Sequence, residues 1–349
     1  MTPEAGTRSA TASGWTPGSA QAVGFALLFI AVAFAAQLLS SGYTSDQGQT
    51  ADEAAHFVTA LMMFDYVSHH LGANPLAFAK TYYEHFPRVA IGHWPPLFEA
   101  LLAVLFTIAR RSWVALAFQA VVTGLCAALP AATTSRRFGS AMGVLAGLIV
   151  LAVPQLIFSV NTVMADNFLA VLVFASAAAW SRLFRRRDWP SALLFSVSAA
   201  AAILTKGSGL GLAFLPLIHL ALKRDIRFLF DRKVLVSAAL VGLASGPWYV
   251  LTYKMQATGF VYAWGLSYSG VALPRFAGAF ALALGVPGLI GFLWSGALAV
   301  RSPLSDERLD LAAFLAAALA MLAIIVIVPA DIDNRYVIPA IPVAAVAAV

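Results

Sequence analysis

Two adjacent carboxylates and a histidine follow the first apolar segment of the chain. Asp52 and Glu53 are neighbours, and His56 comes four residues after Asp52. Neighbouring side chains diverge by about 100° on a helix. We therefore expect one carboxylate to face a cavity and the other to orient a neighbouring group or cap the helix. A carboxylate in a cavity can accept a proton from a hydroxyl group. The alternative is that Asp52 only caps a helix over residues 53–67.

Three further polar residues lie at the borders of later apolar segments. His93 precedes Trp94 and two prolines, so it either donates a hydrogen bond to a phosphate or sugar hydroxyl or belongs to a simple entry turn. Asp166 opens an apolar segment, where it has a functional role or only complements the helix dipole. Lys206 lies in an apolar stretch beside glycines. A lysine at membrane depth is costly and usually functional, and snorkelling to the headgroups is the alternative.

The composition identifies the kind of element that positions these residues. Hydrophobic residues make up 61% of the chain, charged residues 11%, and the mean hydropathy is +0.83. Soluble domains carry about 45–50% apolar and 25% charged residues, so the sequence predicts an all-α, polytopic membrane protein. The net charge of +6 is explained by cytoplasmic Lys and Arg beside the spans, so no nucleic-acid partner is predicted.

The sequence predicts no cofactor. The single cysteine, Cys126, lies in an apolar run and supplies neither a disulfide nor a metal cluster. His56, His69, His70 and His85 show no convincing spacing for a ligand quartet, which leaves a divalent metal open but not indicated.

The hydropathy pattern predicts about ten transmembrane helices in one domain over residues 21–349, after a disordered cytoplasmic tail over residues 1–20. The apolar runs are residues 22–39, 113–133, 140–160, 167–184, 190–204, 209–222, 234–252, 277–300, 311–329 and 336–349. Residues 97–109 are too few to cross and are predicted to be interfacial or re-entrant. Val349 ends the sequence inside an apolar run, so we expect a truncated or minimal member of its class.

The positive charges predict the orientation of the spans. With residues 97–109 left out of the crossings, 14 of the 22 Lys and Arg residues fall on the side of the N-terminus. This bias favours a cytoplasmic N-terminus in the cytoplasmic (inner) membrane. The long loop over residues 41–96, with its interfacial helices, then lies outside. Five of the six histidines and the polar residues named above share that exterior face, which predicts an exterior site.

Seven motifs resemble those of one family in the same order. Asp52-Glu53 with His56-Phe57 looks like the first-loop acidic motif of the dolichyl-phosphate-mannose protein mannosyltransferases. His93-Trp94-Pro95-Pro96-Leu97 resembles the Pro-Pro-Leu motif of that family and of the aminoarabinose lipid A transferases. The other five motifs are Arg136-Arg137-Phe138-Gly139, Met164-Ala165-Asp166, Leu204-Thr205-Lys206-Gly207, Gly246-Pro247-Trp248-Tyr249 and Arg335-Tyr336-Val337-Ile338-Pro339. Together they resemble the GT-C superfamily of membrane glycosyltransferases.

The resemblance implies an inverting enzyme that moves a sugar from a polyprenyl-phosphate donor to a hydroxyl of a lipid, glycan or protein acceptor outside the membrane. It implies Asp52 as base or acceptor-binding residue, with Glu53 beside it in the catalytic motif. The residues predicted to bind substrate are His56, His93, Asp166, Lys206, Arg275 and Arg335, of which Lys206, Arg275 and Arg335 are the cations available to a leaving phosphate.

Two other functions are compatible with the same residues. A transporter or flippase of a lipid-linked substrate would use the lysine and the exterior acids without chemistry. Such transporters often carry matched broken helices in two halves, whereas this chain shows one glycine-rich break, at residues 207–211, and no internal repeat. A non-catalytic relative with the same fold is the third alternative.

Overall fold

A computed structural model describes residues 19–44, 50–90, 92–301 and 309–348. These residues are all-helical apart from turns and loops, as the sequence predicts. The α-helices are α1 (Ser19–Leu39), α2 (Ala51–His69), α3 (Pro75–His85), α4 (Leu97–Leu105), α5 (Ser112–Phe138), α6 (Ser140–Leu151), α7 (Pro154–Ser159), α8 (Asp166–Arg186), α9 (Trp189–Thr205), α10 (Phe214–Lys223), α11 (Arg232–Ala257), α12 (Leu266–Arg301), α13 (Leu309–Ile327) and α14 (Ile341–Ala347). The 3-10 helices are Gly207–Ala213, Ile226–Phe230 and Asn334–Ala340.

The core forms where α5, α8, α13 and α14 pack against their neighbours. Small residues allow the helices to approach closely, which is typical of helix packing in membranes. Gly124 of α5 lies against α1, and a Cβ there would stand 2.5 Å from Cα of Ile30. Gly147 of α6 lies against the ring of Phe29, where a Cβ would be 2.1 Å from Cζ. A larger residue at either position is therefore expected to push α1 away.

Helices α2 and α3 fill the predicted exterior loop, and α4 follows it. Helix α4 has nine residues, too few to cross a bilayer at about 1.5 Å per residue. The predicted cap at Asp52 is wrong. Thr50 is the N-cap of α2, and its side chain accepts from the N–H of Glu53 at 3.3 Å. Asp52 therefore lies in the first turn, and its carboxylate is available for other contacts.

Several predicted spans differ from the observed helices. The run over residues 140–160 is divided into α6 and α7, because Pro154 begins a new helix at a position where its missing N–H costs nothing. The runs over residues 209–222 and 336–349 each begin as a 3-10 helix. The tail predicted over residues 1–20 lies outside the described residues, except that Ser19 and Ala20 already belong to α1.

The loop predicted over residues 253–276 is much shorter than expected. Helix α11 continues to Ala257 and α12 begins at Leu266. Lys254 and Arg275 were assigned to that loop, but they are exposed cations on α11 and α12. Helix α12 bends at Gly285, whose φ of 64° interrupts the helical conformation between two helical halves.

The protein is a multi-pass membrane protein. In the described residues, five helices are long and apolar enough to cross a membrane, namely Ala20–Leu39, Ser112–Phe138, Asp166–Arg186, Arg232–Ala257 and Leu266–Arg301. Shorter apolar helices are Ser140–Leu151, Trp189–Thr205, Gly207–Lys223 and Leu311–Ile327. The count of ten crossings stays a prediction, since Trp189–Thr205 has 17 residues, at the lower limit of about 17 that a crossing needs, and Ser140–Leu151 has 12.

The predicted orientation can be tested by cysteine labelling at Ser68 and Arg137, which are both exposed. We expect Ser68→Cys to react with an impermeant maleimide in intact cells, and Arg137→Cys to react only after the membrane is permeabilised. The native Cys126 is fully buried and is expected to give no background. Reaction of both positions from the same side would contradict the topology.

Candidate active site

Two acidic and two basic side chains from four separate segments meet at one place. Nη2 of Arg335 donates to Oδ2 of Asp52 at 2.5 Å. Nζ of Lys206 donates to Oδ1 of Asp166 at 2.6 Å. The ring of Tyr336 joins the two pairs, because Nζ of Lys206 lies 4.6 Å and Cζ of Arg335 lies 5.5 Å from its centroid. We call these five residues the charged cluster.

Local backbone structure positions Asp166 and Lys206. Asp166 is the first residue of α8, and its side chain is 1% exposed. Lys206 follows α9 in an extended conformation, with φ −156° and ψ 145°, which turns its side chain out of the helix. The chain then folds back closely, since a Cβ on Gly209 would lie 2.4 Å from the carbonyl oxygen of Ala202. The glycine-rich stretch after Lys206 therefore has a packing role.

Arg335 makes three side-chain contacts. Besides Asp52, its Nη1 lies 3.2 Å from Sδ of Met164, and its Nε lies 3.0 Å from Oδ2 of Asp333. Asp333 also caps the 3-10 helix by accepting from the N–H of Arg335 at 2.9 Å. Burial lowers the pKa of Arg335, but the Asp166 carboxylate and the hydrogen bond to Asp52 outweigh it and raise that pKa above its ordinary value. The guanidinium is therefore a permanent positive charge.

The two neighbouring carboxylates point to different places. Asp52 has a side chain 38% exposed and lies in the charged cluster, whereas Glu53 is buried and accepts from the N–H of Val163 at 3.1 Å. Glu53 thus ties α2 to the segment that leads into Asp166. This geometry gives Glu53 a structural link, and the catalytic role predicted for it stays a prediction.

The other predicted binding residues lie apart from the charged cluster. His56 is buried and pairs with Glu99, with 2.6 Å between Nδ1 and Oε1. His93 is exposed, although its neighbour Trp94 stacks on His56 with 4.3 Å between ring centroids. Arg275 is exposed on α12. In the described part of the chain, neither His93 nor Arg275 contacts the charged cluster, so their roles in binding stay predictions.

A cavity of about 320 Å³ opens beside Arg335. Such a volume is at the lower end of the range for small-molecule sites. The lining combines hydroxyl, amide and charged groups with apolar side chains: Thr50, Pro154, Gln155, Phe158, Ser159, Thr162, Met164, Asp333, Asn334 and Arg335. Oε1 of Gln155 is buried and has no hydrogen-bond partner within the described ranges. The lining therefore offers hydroxyl, amide and charged groups that can hydrogen-bond to a polar ligand.

Tyr336 of the charged cluster and the cavity residues other than Arg335 were not among the predicted site residues. Tyr336 was part of a motif, but the direction of its ring follows from tertiary packing. Gln155 lies within residues 140–160, which were predicted to form one continuous span. The only available indication was Pro154, which could have predicted a new helix start there. Among the residues that the structure describes, no group of three or more His, Cys, Asp or Glu could hold a metal ion.

Comparison with known proteins identifies the kind of fold. Residues 93–250 match the sequence model of the dolichyl-phosphate-mannose-protein mannosyltransferases. The crystal structure of ArnT from Cupriavidus metallidurans bound to undecaprenyl phosphate is similar, with a TM-score of 0.65 at 18% identity over 93% of this chain and 59% of that chain. Its apo state has a TM-score of 0.64 at 19% identity over 94% and 59% of the two chains. No curated protein matches significantly.

These findings define a membrane protein with the GT-C type of fold. The chain resembles the branch that contains the protein mannosyltransferases and ArnT, which confirms the resemblance drawn from the motifs. It spans 59% of the length of the ArnT chains. His93, Asp166 and Lys206 lie inside the matched residues 93–250, whereas Asp52 and Arg335 lie outside. The contacts described above join Asp166 and Lys206 to Asp52 and Arg335 in one cluster.

Proposed function

We propose that the protein is an inverting, GT-C-type glycosyltransferase that moves a sugar from a polyprenyl phosphate to a hydroxyl acceptor. The observation that carries this proposal is the charged cluster, in which the half-exposed Asp52 carboxylate and two cations converge and whose Arg335 lines the cavity. A relative with the same fold has been crystallised with undecaprenyl phosphate, which supports a polyprenyl carrier for the donor. The acceptor belongs to the lipids, glycans or proteins at the exterior face of the cytoplasmic membrane.

Asp52 has the properties of a general base. Its carboxylate pairs with the Arg335 guanidinium and is the more accessible of the two neighbouring acids. In the proposed step it takes the proton of the acceptor hydroxyl, whose oxygen attacks the anomeric carbon. The bond from that carbon to the phosphate oxygen breaks, and the electron pair leaves with the phosphate. A single displacement of this kind inverts the anomeric centre.

Lys206 and Arg335 have the properties needed to stabilise the leaving group. The departing phosphate monoester carries more negative charge than the diester from which it forms. Fixed cations in a partly buried site stabilise such charge far better than they would in water. The side chains of Lys206 and Arg335 are each 18% exposed, so both are partly screened from solvent, and Arg335 lines the cavity.

Transfer assays with the purified protein test this proposal. The protein in lipid nanodiscs would be mixed with a panel of undecaprenyl-phosphate sugars, radiolabelled in the sugar, and with membrane lipids, glycans and membrane proteins as acceptors. We expect label to move to an acceptor and free undecaprenyl phosphate to accumulate in equal amount. Movement of the intact donor across proteoliposome membranes without bond cleavage would favour the transporter alternative, and neither activity would favour a non-catalytic relative.

A further inference from the structure

His56 and Glu99 form a buried pair outside the charged cluster. Nδ1 of His56 lies 2.6 Å from Oε1 of Glu99, and the two side chains are 7% and 2% exposed. His56 belongs to α2 and Glu99 to the nine-residue helix α4, so this pair joins these two helices.

Aromatic rings enclose this pair and exclude water from it. The Trp94 ring stacks on His56 at 4.3 Å, and the Phe98 ring meets it edge-on at 5.2 Å. Oε2 of Glu99 is buried and has no hydrogen-bond partner within the described ranges. A buried polar pair that leaves one acceptor without a hydrogen bond costs folding free energy. Apolar residues of similar volume often give equal or higher stability. Stability alone is therefore a poor explanation for the pair.

His56 lies one turn after Asp52 on α2. Residues four apart share a helix face, so the rotation of α2 that seats His56 on Glu99 also sets the direction of Asp52. Helix α4 is fixed in turn by a hydrophobic cluster in which Phe98 and Leu102 pack with Val163 and Ala165, immediately before Asp166. The pair thus connects the helix that carries one acid of the charged cluster to the segment that carries the other.

We propose that His56 and Glu99 are positioning residues for Asp52. The inference rests on the proposed function, because the orientation of Asp52 affects the rate only if Asp52 is the base. The directional bond between the imidazole and the carboxylate fixes the rotation of α2 to a degree that apolar packing does not. A displacement of about 1 Å in a reacting group can cost about 10²-fold in rate.

The decisive variant replaces the pair by apolar residues, His56→Phe with Glu99→Met. The phenyl ring keeps the stack on Trp94, and the methionine keeps the volume of the glutamate. We expect an unchanged Tm and an unchanged KM for the donor, because Lys206 and Arg335 are untouched, but a kcat about 10- to 100-fold lower. A folded double variant with the kcat of the parent protein would overturn the proposal.

Glu99→Gln provides a second and milder test. The amide oxygen can still accept from Nδ1–H of His56, so a partial rescue is expected, with kcat between those of the parent and the apolar variant. If the apolar variant does not fold, Glu99→Gln decides the question, and an unchanged kcat would overturn the proposal. Tyr82→Phe is the matched control, since it removes a different contact of α2, the 3.1 Å bond from Tyr82 Oη to Asp65 Oδ2. It should leave kcat unchanged.

Hydrogen exchange separates this inference from the proposed function. The apolar variant should exchange the amides of residues 51–57 faster than the parent at the same Tm, whether or not transfer is detected. If the parent protein shows no transfer, the glycosyltransferase function is contradicted. Faster exchange in the apolar variant would still support the link between α2 and α4. Unchanged exchange in the apolar variant would contradict the positioning role.

Discussion

Asp52→Asn is expected to abolish transfer and leave the protein stable. Asparagine keeps the shape of the side chain but cannot accept the acceptor proton, and loss of a positioned base costs about 10²–10⁴ in rate. The ion pair with Arg335 contributes little to stability, because the Asp52 side chain is 38% exposed and such pairs are worth about 0–1 kcal/mol. Thr50, rather than Asp52, caps α2, so the helix keeps its cap. The measurement is kcat for transfer together with Tm in nanodiscs.

Asp333→Asn is the comparison that isolates the effect of charge on Arg335. Asp333 contacts the same guanidinium through Nε, and asparagine retains the capping bond to the N–H of Arg335. If Asp52 only balanced the charge of Arg335, the two variants would lose similar amounts of activity. A much smaller loss in Asp333→Asn is expected. Near-normal transfer by Asp52→Asn would remove Asp52 from the mechanism, and a large fall in its Tm would indicate a structural role instead.

The sequence predicted most of the helices but few of their interruptions. Helices α1, α5, α8 and α9 agree with the predicted apolar runs to within a few residues, because hydropathy shows where apolar side chains follow one another. The exception is the C-terminal end of α5, which is longer than predicted. The break before α7 and the 3-10 starts arise from local backbone geometry within apolar runs, which hydropathy does not record. The early start of α12 was not predicted, because Arg275 was assigned to a loop over residues 253–276.

The sequence predicted the members of the charged cluster better than their pairing. Lys206 was a candidate because a lysine at membrane depth is costly and usually functional. Asp52, Asp166 and Arg335 were candidates because their motifs resemble those of the family. The pair of Asp52 with Arg335 spans 283 positions and that of Asp166 with Lys206 spans 40, and such contacts depend on how the helices pack. His56 was chosen as part of the first-loop motif, yet its partner Glu99 lay in a segment described only as short and apolar.

Lys206→Met is expected to destabilise the protein as well as inactivate it. The Asp166 side chain is 1% exposed, and its Oδ2 has no hydrogen-bond partner in the part of the chain that the structure describes. Removing Lys206 therefore leaves a buried carboxylate without its nearest cation. Breaking a buried ion pair from one side costs about 3–5 kcal/mol, so Tm should fall clearly. Loss of a cation that stabilises the leaving phosphate should lower kcat by about 10²–10³.

The double variant Asp166→Asn with Lys206→Met separates the two effects. Replacing both charges removes the uncompensated carboxylate, so Tm should return close to that of the parent. Asp166→Asn alone should be milder than Lys206→Met, since the Lys206 side chain is 18% exposed and keeps the ring of Tyr336 at 4.6 Å. If Lys206 contacts the donor phosphate, the double variant stays inactive despite its recovered stability. Recovery of transfer together with Tm would instead make the pair purely structural, and Arg335 would then be the cation that meets the leaving phosphate.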